Sequence, residues 1–216
     1  MKNIIFLIDA QKSASGGGKV IYQYSNYINS LKRYSSSIAH VKKKKIGKIL
    51  NSLNKKFSGS LKKIKYSGWN FKDLTVKKNY SFSWFNIKVK VKNDLVFDKQ
   101  KDFVILPEMF AHFAAEFFIK EKIPYAIFVQ NGYSIFPTNN TAKLNLAYKK
   151  CKFILSYSKD IKECVSLAYP KEKKKIIDVK YSIDFKKFRK TKKKNVITYM
   201  PRKLRRHSEL VISFLK

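Results

Sequence analysis

Short apolar runs alternate with amphipathic stretches along this chain of 216 residues. Asn3 to Ile8 reads as a continuous apolar run bounded by polar residues, which predicts a central parallel strand. Val20, Ile21, Tyr24, Tyr27, Ile28 and Leu31 then recur at helical spacing and predict a helix of about four turns. Ser36 to Val41 suits a second strand. Lys42 to Lys65 is lysine-rich, with Ile46, Ile49, Leu50, Leu53 and Phe57 on one stripe, and reads as a solvated helix over the core. Trp84 to Val91 alternates cleanly and predicts a half-exposed strand. From there the rhythm is regular. Strand Asp102–Leu106 meets a helix opened by Pro107-Glu108, with Phe110, Phe113, Ala114, Phe117 and Phe118 on one face. Strand Tyr125–Val129 leads through the loop Gln130–Phe136 to a helix at Thr141–Lys150. Strand Phe153–Tyr157, a helix capped by Ser158 and reaching Tyr169, and strand Lys175–Tyr181 complete the set. Such alternation predicts an α/β fold: a parallel sheet with helices on both faces.

Residues 185–194 are mostly charged and read as a linker. A fresh strand at Asn195–Met200, a loop through Arg206 and a helix from Ser208 look like the opening unit of a second α/β domain. The expected organisation is therefore a domain over 1–184, a linker over 185–194, and the first strand–loop–helix of another domain over 195–216.

Composition changes this picture in two ways. Hydrophobic residues make up 44% of the chain, ample for a buried core. The formal charge of +34 invites a nucleic-acid reading, but only five of the 48 basic residues are arginines. Base reading and phosphate forks favour arginine over lysine. The abundance of Lys, Asn, Ile, Tyr and Phe follows A/T-rich codons and accounts for much of the charge. What remains is a preference for anionic surroundings, including a negatively charged lipid surface. No recognition-helix or RNP pattern supports nucleic acid as a partner. Cys151 and Cys164 have no zinc spacing and make no disulfide framework. They read as free thiols of a cytoplasmic protein, and no window of about 18 apolar residues predicts a membrane span.

The candidate chemistry starts at Gly16, Gly17 and Gly18, between the first strand and its helix. Without Cβ atoms the backbone can adopt positive φ and approach a ligand closely, under the positive end of the helix dipole. Neither a P-loop nor a dinucleotide fingerprint is spelled correctly here, since Ser13, Val20 and Ile21 occupy deciding positions. The competing reading is a turn that only lets the helix pack close to the sheet. Glu108 has a similar alternative, because a carboxylate in a first helical turn favours the dipole. His112 and Glu116 follow it at helical steps, but without an H-E-x-x-H pattern they predict no metal site. His40 reads as an ordinary strand residue.

Four segments carry a resemblance: Gly16-Gly-Gly-Lys-Val-Ile-Tyr-Gln-Tyr24, Val104-Ile-Leu-Pro-Glu108, Ile127-Phe-Val-Gln-Asn-Gly-Tyr133 and Tyr199-Met-Pro-Arg-Lys203. In this order and spacing, over Met1 to about Asp184, the chain resembles the N-terminal domain of a GT-B glycosyltransferase close to family 4, a Rossmann-like domain. The resemblance implies transfer of a sugar from a nucleotide-sugar donor to an acceptor hydroxyl, on a cell-surface glycan or a lipid-linked precursor, with no cofactor and no metal. It also implies that Gly16, Gly17, Gly18, Arg202 and Lys203 contact donor phosphate or sugar. Glu108, Gln130, Asn131 and Gly132 would line the acceptor side of the cleft, with peripheral contact to an anionic membrane. Gln130-Asn131 stand where many relatives have a histidine, and the family's E-x(7)-E motif has no counterpart within these residues. Transfer would then require a complementing donor-binding domain. The alternative from another class is a non-enzymatic basic module that binds nucleic acid or an anionic surface.

Overall fold

The computed structural model describes residues 2–11, 15–44, 69–180, 192–196 and 205–214. The chain divides into two compact units, Met1–Tyr181 and Ser182–Lys216.

The first unit is built on seven strands: β1 (Asn3–Asp9), β2 (Ser35–Lys43), β3 (Leu74–Val76), β4 (Asp102–Pro107), β5 (Tyr125–Val129), β6 (Phe153–Ser156) and β7 (Ile176–Asp178). Their order across the sheet is β3-β2-β1-β4-β5-β6-β7. All neighbours are parallel except β3, which runs antiparallel to β2. The α/β architecture with helices on both faces is thus the observed one, Rossmann-like in its connections. The apolar run of β1 explains its central place. Ile5 and Leu7 enter the core on one face while Phe6 and Ile8 enter the core on the other, as the two-residue period of a strand buried on both sides requires.

Three α-helices of this unit lie among the described residues: α1 (Gly16–Ser30), α2 (Thr141–Lys150) and α3 (Lys159–Ala168). Helix α1 buries Val20, Ile21 and Tyr22 against one face. Leu144 and Ala147 of α2, with Ile161 and Val165 of α3, pack on the other. Each start is locally specified: Ser15, Asn140 and Ser158 accept hydrogen bonds from the backbone N–H groups of Gly18, Lys143 and Ile161.

Three expectations are corrected. Trp84–Val91 is not a strand: apart from a single parallel bridge from Val91 to Ile38, it forms no ladder. Its alternation comes from Trp84, Phe85, Ile87 and Val89 packing against the α1-side core. Pro107 ends β4 rather than opening an α-helix, and the chain continues as a short 3₁₀ turn, Glu108–Phe110, and a π-helix, Ala114–Phe118. Neighbouring residues diverge by about 100° on an α-helix, whereas here both Phe117 and Phe118 reach Phe71, with ring centroids 4.1 and 5.3 Å away. Gly16, Gly17 and Gly18 form the first turn of α1 rather than a preceding loop, and no described glycine has positive φ.

Most of the expected 42–65 helix, and residues 197–200 of the expected 195–200 strand, lie outside the described residues; the described 42–44 continue and leave β2. In the second unit, helix α4 (Arg205–Phe214) leaves Leu210, Val211 and Phe214 exposed. No helix among the described residues is long and apolar enough to cross a membrane.

Candidate functional site at the sheet's switch point

Strand order decides where a ligand meets an open α/β sheet. From β1 the chain moves one way to β2, and from β4 it moves the other way to β5, β6 and β7. Beyond the carboxyl ends of β1 and β4 the connections part, and the crevice left there is the usual ligand site of such sheets. Helix α1 begins on one side of that crevice, and Glu108 follows β4 on the other.

Gln130, the residue after β5, ties the two sides together. Its side-chain amide donates to the Gly17 carbonyl at 3.1 Å. Its backbone N–H donates to Glu108 Oε2 at 3.1 Å. Its carbonyl accepts from the Tyr157 hydroxyl at 2.6 Å, so the end of β6 joins the same network. Gly17, Glu108 and Gln130 therefore do share one rim. Asn131 lies beside them, exposed, and its side chain accepts from Tyr133 N–H at 3.0 Å. Gly132 is buried in the turn that follows. Arg202 and Lys203 lie outside the described residues.

The glycines have distinct structural reasons to be small. A Cβ on Gly17 would stand 2.5 Å from Gln130 Oε1, one on Gly18 2.7 Å from the Phe82 ring, and one on Gly132 2.8 Å from Cys164 Cβ and Sγ. A Cβ on Gly16 would meet nothing within 4 Å. Packing thus accounts for Gly18 and Gly132; at Gly17 the neighbour is the end of the Gln130 side chain, which can swing aside, and Gly16 has no packing reason.

Glu108 is 2% exposed, and burial raises its carboxyl to about 7. Backbone N–H groups of Gln130, Glu108 and Asn131 oppose that rise by hydrogen bonding the charged form. At neutral pH the group is poised between its two protonation states. A proton on it would change how firmly it holds the loop after β5.

Across the switch point, within β2, His40 is completely buried, a strand residue as expected. The Tyr22 hydroxyl accepts from Phe82 N–H at 3.0 Å and meets His40 Nε2 at 2.6 Å. A hydroxyl has one proton to give. Its two lone pairs also allow it to accept, so the bond to Nε2 can run in either direction, and His40 Nδ1 is buried without a hydrogen-bond partner among the described residues. Burial, then the Lys77 charge, pushes His40 down to about 4, so it stays neutral.

His112 and Glu116 are each engaged elsewhere. His112 Nε2 lies 3.2 Å from the Trp69 carbonyl, while Glu116 accepts from Phe71 N–H at 2.8 Å and Lys143 Nζ at 2.7 Å. Tyr157, Tyr22 and Phe82 were not anticipated. Only Tyr157 left a sequence signal, its position directly after a strand.

No family model matches the chain, and no curated protein or solved structure matches it significantly.

Proposed function

We propose that the first unit is the acceptor-side domain of a nucleotide-sugar-dependent glycosyltransferase. The observation that carries this reading is the convergence of the α1 N-terminus, Glu108 and Gln130 at the switch point, tied by two hydrogen bonds. In such a transfer an acceptor hydroxyl attacks the anomeric carbon as a nucleoside diphosphate departs, and negative charge grows on the leaving group. The first turn of α1 has no acidic residue and open space at Gly16. Its free N–H groups and dipole favour an anion there. Glu108 acts as a positioning residue, holding Gln130 and Asn131 at the acceptor side of the crevice.

Ligand-observed NMR with nucleotide sugars, oligosaccharides and lipid-linked sugars tests the proposal. Saturable binding of an acceptor sugar, lost in Gly17→Val while the fold is retained, is the expected result. Binding of polynucleotide with steep salt dependence, and of no sugar or nucleotide sugar, would replace this reading with that of a basic binding module.

A further inference from the structure

Away from the switch point, a groove of about 530 Å³ has the apolar lining Phe71, Leu74, Leu95 and Phe117. A second cavity of about 510 Å³ lies next to it, with Leu95 and Phe117 in the walls of both. The π-helix Ala114–Phe118 forms part of the wall, a distortion that proteins often keep at functional positions.

Charge differs between the two cavities. In the first cavity the acid is Glu116, whose carboxylate is already satisfied by Phe71 N–H and Lys143. Lys72 and Lys120 stand exposed at the same mouth with no acid in the lining left to balance them. The second cavity is lined by Asp98 and Glu121 as well as Lys99, so it has no cationic excess. Lys44 Nζ, which donates to the Lys72 carbonyl at 2.9 Å, adds a further charge beside the first mouth.

We infer that the groove binds a single-chain lipid phosphate, with its acidic head at Lys72 and Lys120 and its hydrocarbon chain along Leu95 and Phe117. The volume of about 530 Å³ lies in the range of ligand sites, and an apolar trough with a few charges at one end is the usual composition of such a site. An amphiphile with an anionic end matches both the apolar wall and the lysines at the mouth of the first cavity. This site is separate from the sugar-transfer reading and stands or falls without it.

Calorimetric titration of the protein with dodecyl phosphate, below its micelle concentration, tests the inference. Dodecyl maltoside and inorganic phosphate serve as the two half-ligands. Saturable one-to-one binding of dodecyl phosphate is expected, with each half-ligand at least about tenfold weaker. Lys72→Glu/Lys120→Glu should weaken it about tenfold, the order expected for reversing two exposed charges. Lys173→Glu/Lys174→Glu, which makes the same change of net charge at exposed positions elsewhere, should leave it unaltered. Equal losses in both double variants would reduce the effect to net charge. Equal binding of dodecyl maltoside would leave an apolar patch, and equal binding of inorganic phosphate a simple anion site. Absence of binding to the wild type would mean that the groove takes no such amphiphile. Each of these four results overturns the proposal.

Discussion

The two arms of the sheet on either side of the switch point bury a titratable group in opposite ways. On the β2 arm, His40 sits among aromatic rings, with Tyr80 and Phe82 at centroid distances of 5.1 and 5.3 Å. On the β4 arm, Glu108 is held mainly by backbone N–H groups of the loop it organises. Burial is the largest cause of both shifts, yet it lowers one group to about 4 and raises the other to about 7. Desolvation always favours the neutral form, so its sign depends on whether that form is the protonated one. The consequence is functional. The β2 arm stays fixed at any ordinary pH, while the β4 arm has a group that changes state near neutrality, beside the candidate site.

The largest test of this contrast is removal of the aromatic support. Phe82 is 4% exposed, stacks on Tyr22 and Trp84, and fills the space left by Gly18. Phe82→Ala should cost about 3–5 kcal/mol in urea unfolding. A loss below about 1 kcal/mol would show that the aromatic arm is not a packed unit.

Next in size is a pair of opposed pH effects. Glu108 rises from 4.5 to about 7 on folding, so the folded chain holds that proton more tightly. Its contribution is most favourable below pH 4.5 and falls by about 3 kcal/mol as pH rises to 7. His40 falls from 6.5 to about 4, so the unfolded chain holds that proton more tightly. Its contribution rises by about the same 3 kcal/mol as pH climbs from 4 to 6.5. Burial also lowers His112, which acts in the same direction as His40. Between pH 4.5 and 6.5 the slopes from Glu108 and His40 oppose each other in the wild type. Glu108→Gln should leave stability rising with pH, and His40→Gln should turn the slope downward. Unfolding midpoints at half-unit pH steps measure both, and parallel profiles in the two variants would refute the assignment.

Gly132→Ala tests the loop after β5 by packing alone. The added methyl would meet Cys164 Cβ and Sγ at 2.8 Å, with Ile161 Cα at 3.6 Å. Because Cβ is fixed to the α3 backbone, relief requires a backbone shift, and about 1–3 kcal/mol of destabilisation is expected in chemical unfolding. A stability equal to wild type would mean that the turn slides freely on α3.

These contrasts were only partly legible in the sequence. β1 and β5 could be read because strands buried on both faces appear as unbroken apolar runs. Glu108 and Gln130 could be placed on one rim because each follows a parallel strand. Residues 84–91 misled because two-residue alternation reports one buried side, and burial against α1 needs no ladder of hydrogen bonds. The π-helix was hidden because Phe110, Phe113 and Phe117 fit an α-helical stripe equally well. Nor could the sequence foretell that Gln130 would occupy the space beside Gly17, or that Phe82 would lie against Gly18. Both are contacts between segments far apart in the chain.

The smallest expected change in stability is at Gly16, and it bears most directly on the site. Gly18 and Gly132 each avoid a clash with a buried neighbour, so their smallness needs no ligand, and Gly17 faces only the movable end of the Gln130 side chain. Gly16 stands in the first turn of α1 with nothing within 4 Å of its missing Cβ. By helix propensity and unfolded-state entropy, Gly16→Ala should stabilise the protein by up to about 1 kcal/mol. If an anionic ligand approaches the first turn of α1, the same methyl stands in its way, and nucleotide-sugar binding should weaken by about tenfold or more. The variant separates the two roles because stability and binding are expected to move in opposite directions. A stabilised variant that binds nucleotide sugars as well as wild type would remove close ligand approach as the reason for this glycine.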